Sequence, residues 1–296
     1  MKTIFISSLD EQLNTCPASI ALGNFDGVHL GHRALIADCL ASGLTPTVFT
    51  FSERDKDAIT TLEEKARLLK ALGITLFIVA PFSLFRDLSC DKFMDYLYDK
   101  LACRHTVCGY NFRFGKGAVG TCETLSALAK AKNIPCTVIG EVKKDGISIS
   151  STAIRTLLSS GALEQATALL GAPYSITGEV QRGYGIGKTL SFPTMNLAPQ
   201  KSLLLPHGVY ITEAVMDDIP YPAITNIGTN PTFSRDHITY ETHLLNACGD
   251  FYNKAVTVRF LAFLRQELTF SSPDELKAQV LSDIETARRY HANRPN

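Results

Sequence analysis

The sequence predicts an α/β unit built on a parallel sheet, followed by an all-β unit that closes with one helix. Two observations carry this. Up to Leu170, short apolar runs alternate with helical patterns, as in a parallel sheet covered on both faces. Beyond Gly171, short alternating runs broken by Gly, Pro and Asn follow one another without an intervening helix, which fits an antiparallel barrel or sandwich. A length of 296 residues suits two domains at roughly 150 residues each. The boundary is expected near residue 172, giving domains 1–172 and 173–296.

The elements follow in order. Ser19–Phe25 reads as a buried strand, Gly31–Ala41 as a helix and Thr47–Phe51 as the next strand. Thr61 and Glu64 form a capping box for a helix that ends before Gly73. Leu76–Ala80 and Thr106–Tyr110 are further strands, separated by a helix near Asp91–Leu101. A helix near Cys122–Lys132 precedes a strand at Cys136–Val142, and helices over Thr152–Leu158 and Leu163–Leu170 end the unit. Strands are then expected at Tyr174–Gln181, Val209–Met216, Ala223–Ile227, Thr239–Leu245 and Val256–Phe263. In the closing helix Ser272 is the N-cap, Pro273 the first helical position and Glu275 the completing residue of a box. Leu276, Val280, Ile284 and Ala287 line one face of it.

Lys+Arg and Asp+Glu both number 29, so the formal net charge is zero. That balance argues against a nucleic-acid or anionic-membrane partner. The eight cysteines form no CxxC pair and are expected to be buried small hydrophobes in a reducing cytosol. No apolar run approaches the roughly 20 residues needed to span a bilayer, and the start turns acidic before a targeting segment develops. A cytoplasmic location is expected. The sequence does not decide between a monomer and a homo-oligomer.

Three segments of the first half suit phosphate. Gly23-Asn24-Phe25-Asp26-Gly27-Val28-His29-Leu30-Gly31-His32 follows the first strong strand and opens a helix. Its glycines allow close backbone approach, and a helix N-terminus offers unpaired N–H groups and a positive dipole end. His29 and His32 are three apart and can share one side of the first turn. A zinc site is disfavoured, because the HExxH spacing and a third ligand are missing. Gly109–Gly115, with Asn111 and Tyr110, follows another strand. Ile149-Ser150-Ser151-Thr152-Ala153-Ile154-Arg155 opens a helix with hydroxyls and a cation at its start. All three lie beyond strand ends, where ligands bind in such sheets.

The second half carries Gly183-Tyr184-Gly185-Ile186-Gly187-Lys188-Thr189. It is not a Walker A loop, because position 182 is Arg182, and not a dinucleotide fingerprint, because the sixth position is Lys188. It reads either as a phosphate-covering loop or as a plain hairpin turn. Thr194 and Asn196 stand two apart after Pro193. They form either a turn or a pair of hard oxygens for Mg²⁺. Glu241 is a lone acid in the weakly charged run Tyr240–Leu244.

The segments GNFDGVHLGH, GYNFRFG and ISSTAIR resemble the nucleotidylyltransferase domain of bacterial bifunctional riboflavin kinase/FAD synthetases. The segments GYGIGKTLSFPTMNL, HGVY, NIGTNPTF, ETHLL and GDFYNKAVTVRFLAFLR, with the final helix, resemble the riboflavin kinase domain of the same family. The resemblance runs from about Ser19 to Tyr290. It implies a Rossmann-like FMN adenylyltransferase domain and a small antiparallel β-barrel kinase domain with a terminal helix. The implied reactions are ATP-dependent phosphorylation of riboflavin to FMN and adenylylation of FMN to FAD with release of pyrophosphate. By resemblance, His29 and His32 contact ATP phosphates and stabilise charge as pyrophosphate leaves. Gly23, Asn24, Phe25, Asp26, Gly27, Gly31 and Asn111 hold ATP or FMN, and Ser150, Ser151, Thr152 and Arg155 grip phosphates from the other side. Gly183, Gly185, Gly187 and Lys188 cover the ATP of the kinase, Thr194 and Asn196 hold Mg-ATP, and Glu241 is the general base. Riboflavin, FMN and ATP are the implied small-molecule partners. The chain departs from the family pattern at Ser52-Glu53-Arg54-Asp55-Lys56, at Tyr110 and at Met195. The alternative is a riboflavin kinase whose N-terminal domain only binds nucleotide or turns over weakly.

Overall fold

The computed structural model describes residues 1–11, 13, 15–52, 57–181, 194–229, 238–247, 249 and 251–294. The chain divides into two compact units, Met1–Ala153 and Ile154–Asn296. That division falls earlier than residue 172, within the helix Ser151–Ser159, and places the rest of that helix and the one after it with the second unit.

The first unit holds a six-stranded parallel sheet. Its strands are β1 (Lys2–Phe5), β2 (Ala18–Leu22), β3 (Thr45–Phe51), β4 (Leu76–Ala80), β5 (Cys103–Gly109) and β6 (Cys136–Ile139), in the order β1-β4-β3-β2-β5-β6. β2 and β4 are buried at every residue, as expected of strands covered on both faces. Alternate side chains go to opposite layers. Ile20, Leu22, Phe49 and Ile78 pack on one side. Ala21, Val48, Phe77 and Val79 pack on the other, against α1 (Leu30–Ala41) and α2 (Leu62–Ala71). The order reverses at β2: β3 and β4 build outward on one side, and β5 and β6 on the other. Such a switch point opens a crevice at the carboxyl ends of the strands.

Several expected boundaries move. The strand expected to reach Phe25 ends at Leu22, because Phe25 turns into left-handed backbone (φ 50°). The strand expected to reach Val142 ends at Ile139, and a small hairpin follows, β7 (Lys143–Lys144) with β8 (Ile147–Ser148). The helix near Asp91–Leu101 is α4 (Cys90–Asp95) continued by a π turn, Tyr96–Lys100, and is preceded by a single turn, α3 (Phe82–Phe85). The Thr61–Glu64 capping box is present. α5 (Cys122–Ala131), α6 (Ser151–Ser159) and α7 (Leu163–Leu170) lie where expected. Cys39, Cys103, Cys108 and Cys122 are buried as expected, but Cys90 and Cys136 are only half-buried and Cys16 is exposed. Cys248 lies outside the described residues.

The second unit contains a closed antiparallel barrel. Its strands are β9 (Ser175–Gln181), β10 (Met195–Pro199), β11 (Gly208–Met216), β12 (Ile219–Thr229), β13 (Ile238–Leu244) and β14 (Ala255–Arg265), closed in the order β10-β13-β12-β11-β14-β9. Its interior is lined by Tyr174, Tyr210 and Phe260 and by a hydroxyl ladder. Thr225 Oγ1 bonds Thr212 Oγ1 at 2.8 Å and Thr242 Oγ1 at 2.9 Å, and all three residues are buried. Val209, Ile211 and Ile224 point outward instead and pack against Ile284 and Ala287 of α8 (Pro273–Asn293). Ser272 caps α8 by accepting from Glu275 N. The expected reciprocal arm differs: Glu275 Oε2 accepts from Ser271 N and Oγ rather than from Ser272.

The ladder gives a direct check on the barrel. Thr225→Val strands two buried hydroxyls and is expected to cost about 2 kcal/mol of unfolding free energy. A denaturant midpoint equal to that of the wild type would contradict this packing.

Candidate active sites

The first candidate site is the turn between β2 and α1. Gly27 takes φ 81°, a conformation that costs glycine little. The turn is fixed from beneath by Asp26. Its carboxylate accepts from Ile59 N at 3.1 Å, Thr60 N at 3.0 Å and Thr60 Oγ1 at 3.3 Å. Gly27 N donates to Thr60 Oγ1 at 3.0 Å. The Asn24 carbonyl accepts from Thr50 Oγ1 at 3.0 Å and Lys65 Nζ at 2.5 Å.

His29 caps α1, its Nδ1 accepting from His32 N at 3.2 Å. The two rings stack at 3.6 Å between centroids, and Phe25 packs on His32 at 4.9 Å. A Cβ at Gly31 would lie 3.2 Å from the His29 ring, so glycine there leaves that ring its place. Among the described residues, the shielded His32 Nδ1 has no hydrogen-bond partner. Burial lowers the His29 imidazole to about 4 against an opposing pull from Asp26. Burial, then the charges of His29 and Lys65, hold His32 well below the ordinary imidazole value. Both rings are therefore neutral near neutral pH.

The third phosphate-suited segment meets the first. Ser151 Oγ donates to the Asp26 carbonyl at 2.9 Å, and Ser150 Oγ accepts from Ala153 N at 3.1 Å at the start of α6. Gly23 and Asn24 lie on the loop leading from β2. Thr152 is exposed on the first turn of α6 and Arg155 stands one turn further on, in the second unit. Asn111 and Tyr110 are exposed on the turn after β5, the neighbour of β2 in the sheet.

The second candidate site lies on the outer face of the barrel beside α8. It is a pocket of about 340 Å³ whose lining includes Thr194, Asn226, Glu241, His243, Arg265 and Glu267. Strand register sets Glu241 opposite Asn196 on one side and opposite Asn226 on the other. Three polar side chains thus stand in a row across β10, β13 and β12. Burial raises the Glu241 carboxyl above its ordinary value. Arg265 forks onto Asp283, with Nη2 at 2.7 Å and Nε at 2.9 Å from Oδ2, and so ties α8 to β14 at the pocket wall. Gly183, Gly185, Gly187 and Lys188 lie outside the described residues, as do 53–56 of the departing segment.

Asn226, Arg265 and Lys65 were not singled out from sequence. Asn226 and Arg265 stand within quoted motifs, and only strand register reveals which face they share. Lys65 occupies a core-facing helical position four residues before Leu69, a pattern that sequence periodicity could have flagged.

A phosphate-suited turn at the switch point of a parallel sheet, with a barrel pocket around a half-buried carboxylate, defines a two-site enzyme architecture of the nucleotide-using kind. A family model described as FAD synthetase matches residues 11–153, and one described as riboflavin kinase matches residues 170–291. A bifunctional riboflavin kinase/FMN adenylyltransferase of Bacillus subtilis is 34% identical, covering 99% of both chains. That of Escherichia coli K12 is 33% identical, covering 92% of each. A crystal structure described as a macrolide-efflux protein from Streptococcus pneumoniae superposes with a TM-score of 0.86 at 28% identity, covering 97% of this chain and 98% of the other. The chain belongs to the bifunctional riboflavin kinase/FMN adenylyltransferase family. Both halves have their own family match, which favours two activities over a kinase alone. Among the described residues no helix is long and apolar enough to cross a membrane.

The neutral histidines make a testable statement about acid. Their folded-state values lie below that of a free imidazole, so between these limits the unfolded chain binds more protons. Their contribution to stability is complete above about pH 6.5; that of His29 is lost as pH falls towards 4, and that of His32 is lost as pH falls well below the free-imidazole value. Urea midpoints are expected to fall across that window, and His29→Gln/His32→Gln to lose part of the slope. Identical slopes in both proteins would contradict the burial of neutral rings.

Proposed function

We propose that the barrel pocket phosphorylates riboflavin and that the β2–α1 turn adenylylates the FMN so formed, with the boundary between the two functional domains near residue 172. The chain is a bifunctional transferase with riboflavin kinase and FMN adenylyltransferase activities. The observation that carries the assignment of sites is the contrast in their ionisable groups. The barrel pocket holds a half-buried carboxylate with a raised pKa, and the turn holds a neutral histidine pair at a helix start.

The two reactions need that contrast. The ribityl 5′-hydroxyl of riboflavin carries a proton that must leave as its oxygen bonds the γ-phosphorus of ATP, while the bond from that phosphorus to the β–γ bridging oxygen breaks and ADP leaves with the electron pair. Glu241 accepts the proton, and burial brings its basicity closer to the working pH. Asn196 and Asn226 flank the carboxylate and orient the hydroxyl. Thr194 and Asn196 offer hard oxygens beside it, a set that suits Mg²⁺ completed by phosphates and water. Mg²⁺ bound there supplies charge neutralisation on the phosphates. Gly183, Gly185, Gly187 and Lys188, outside the described residues, are assigned to binding the same nucleotide.

Adenylylation needs no protein base. An FMN phosphate oxygen, already anionic, forms a bond to the α-phosphorus of ATP, and the bond to the bridging oxygen breaks as pyrophosphate leaves. The site aligns two anions and neutralises them. His29 and His32 donate to phosphate oxygens as neutral imidazoles. Gly23, Asn24, Phe25, Asp26, Gly27 and Gly31 shape the cradle, Asn111 holds the flavin or nucleotide, and Ser150, Ser151, Thr152 and Arg155 hold phosphate. The protein works in the cytosol on riboflavin, FMN and ATP.

Chromatography of products over time tests the separation of the two sites. Wild type given riboflavin, ATP and Mg²⁺ is expected to form FMN and then FAD. Glu241→Gln is expected to slow FMN formation by roughly 10²–10⁴-fold while still adenylylating supplied FMN. His29→Ala/His32→Ala is expected to do the reverse. Because the base must be ionised, wild-type FMN formation is lost on acidification at a higher pH than for an ordinary carboxylate. Equal loss of both activities in either variant would overturn the assignment.

A further inference from the structure

We infer that Lys65 is the cation that holds the nucleotide's phosphates at the β2–α1 turn, so that it binds ATP and the pyrophosphate product. The inference rests on the placement of adenylyl transfer at that turn.

Lys65 sits on α2, behind the turn, and is 7% exposed. Its ammonium donates to the Asn24 carbonyl at 2.5 Å. Among the described residues it has no second hydrogen-bond partner and no ion pair. An ammonium has three protons to donate, and a buried cation is costly unless a counter-charge accompanies it. The carboxylate that acts on it is Asp26, whose oxygens are already engaged by Ile59 and Thr60. The counter-charge of Lys65 is therefore incomplete in the protein alone.

A purely structural role explains this poorly. The Asn24 carbonyl already accepts from Thr50 Oγ1 at 3.0 Å, so the loop is held without the ammonium. A methionine would fill the same space without the cost of burying charge. The surroundings point to an anion instead. The ammonium lies close enough to His32 to depress its protonation. His29 and His32 are neutral and so bring donors without charge. The turn thus presents the N-terminus of α1, two neutral imidazoles and one under-compensated ammonium. That set is complementary to a polyphosphate, whose charge must be met as the bond between the α-phosphorus and the bridging oxygen breaks and pyrophosphate carries off the electron pair. Lys65 exchanges no proton in this step. It supplies charge and a donor to a phosphate oxygen.

The reverse reaction, FAD plus pyrophosphate giving FMN plus ATP, isolates this site from the kinase. In Lys65→Met the KM for pyrophosphate is expected to rise at least about tenfold, the loss of one charge-assisted hydrogen bond, with the protein melting at or above the wild-type temperature. Lys65→Gln serves where the methionine variant does not fold, with the same expected rise. A pyrophosphate KM within twofold of wild type overturns the inference. So does a fall in kcat alone, which is the mark of a residue that merely positions the loop. His29→Ala in the same assay separates the two levels. Its loss of activity beside an unchanged KM in Lys65→Met defeats the inference and leaves the site assignment standing. Full activity in His29→Ala defeats the site assignment and the inference with it.

Discussion

Removal of water from a few ionisable side chains is the constraint on which both sites depend. Burial keeps the His29 and His32 rings uncharged, lowers the Lys65 ammonium to about 8 and lifts the Glu241 carboxyl. None of these groups is a nucleophile towards phosphorus. Each owes its chemical character to the packing around it. For the first site the packing is the second layer of the parallel sheet, which presses α1 and α2 onto β2 and β3. For the second it is the outer face of the barrel against α8.

The fold holds these groups still by different means. In the first unit, a tight turn with left-handed backbone at Phe25 and Gly27 would not hold its shape alone. The Asp26 carboxylate and the Thr60 hydroxyl bind it to the segment before α2, and Ser151 binds it to the start of α6. In the second unit the closed barrel supplies rigidity, since every strand has two neighbours. Glu241 lies on β13 next to Thr242, whose hydroxyl points inward to the ladder. The alternation of the strand then directs Glu241 outward to the pocket.

Much of this was legible in the sequence, and the rest was hidden for identifiable reasons. Leu76–Ala80 is wholly apolar, and the strand forms with those bounds. The Thr61–Glu64 capping box is a local signal satisfied by local hydrogen bonds. β1 escaped notice because it is short and mostly exposed. β10 escaped because Pro193-Thr194-Met195-Asn196 reads as a turn, whereas pairing with both β9 and β13 makes a strand of it from Met195. The strand expected to continue to Phe25 stopped early, since apolar character cannot distinguish a strand residue from a buried residue in left-handed backbone. The first site was largely visible as motifs, because each of its segments is a contiguous run of residues. The row Asn196–Glu241–Asn226 joins three distant segments, and only strand register reveals it. Lys65 shares the core-facing stripe of α2 with Leu69, so periodicity marks its position, but a lysine on an amphipathic helix ordinarily faces water and the carbonyl it meets is set only by the fold.

The most direct measurement of the desolvation on which this account rests is an NMR titration of the imidazole nitrogens of His29 and His32 in the unliganded protein. The account predicts that His29 stays neutral on acidification from neutral pH until about pH 4 is approached, and that His32 protonates only well below the free-imidazole range. Protonation of either ring near the free-imidazole value of about 6.5 would show that water reaches the site, and would contradict the account.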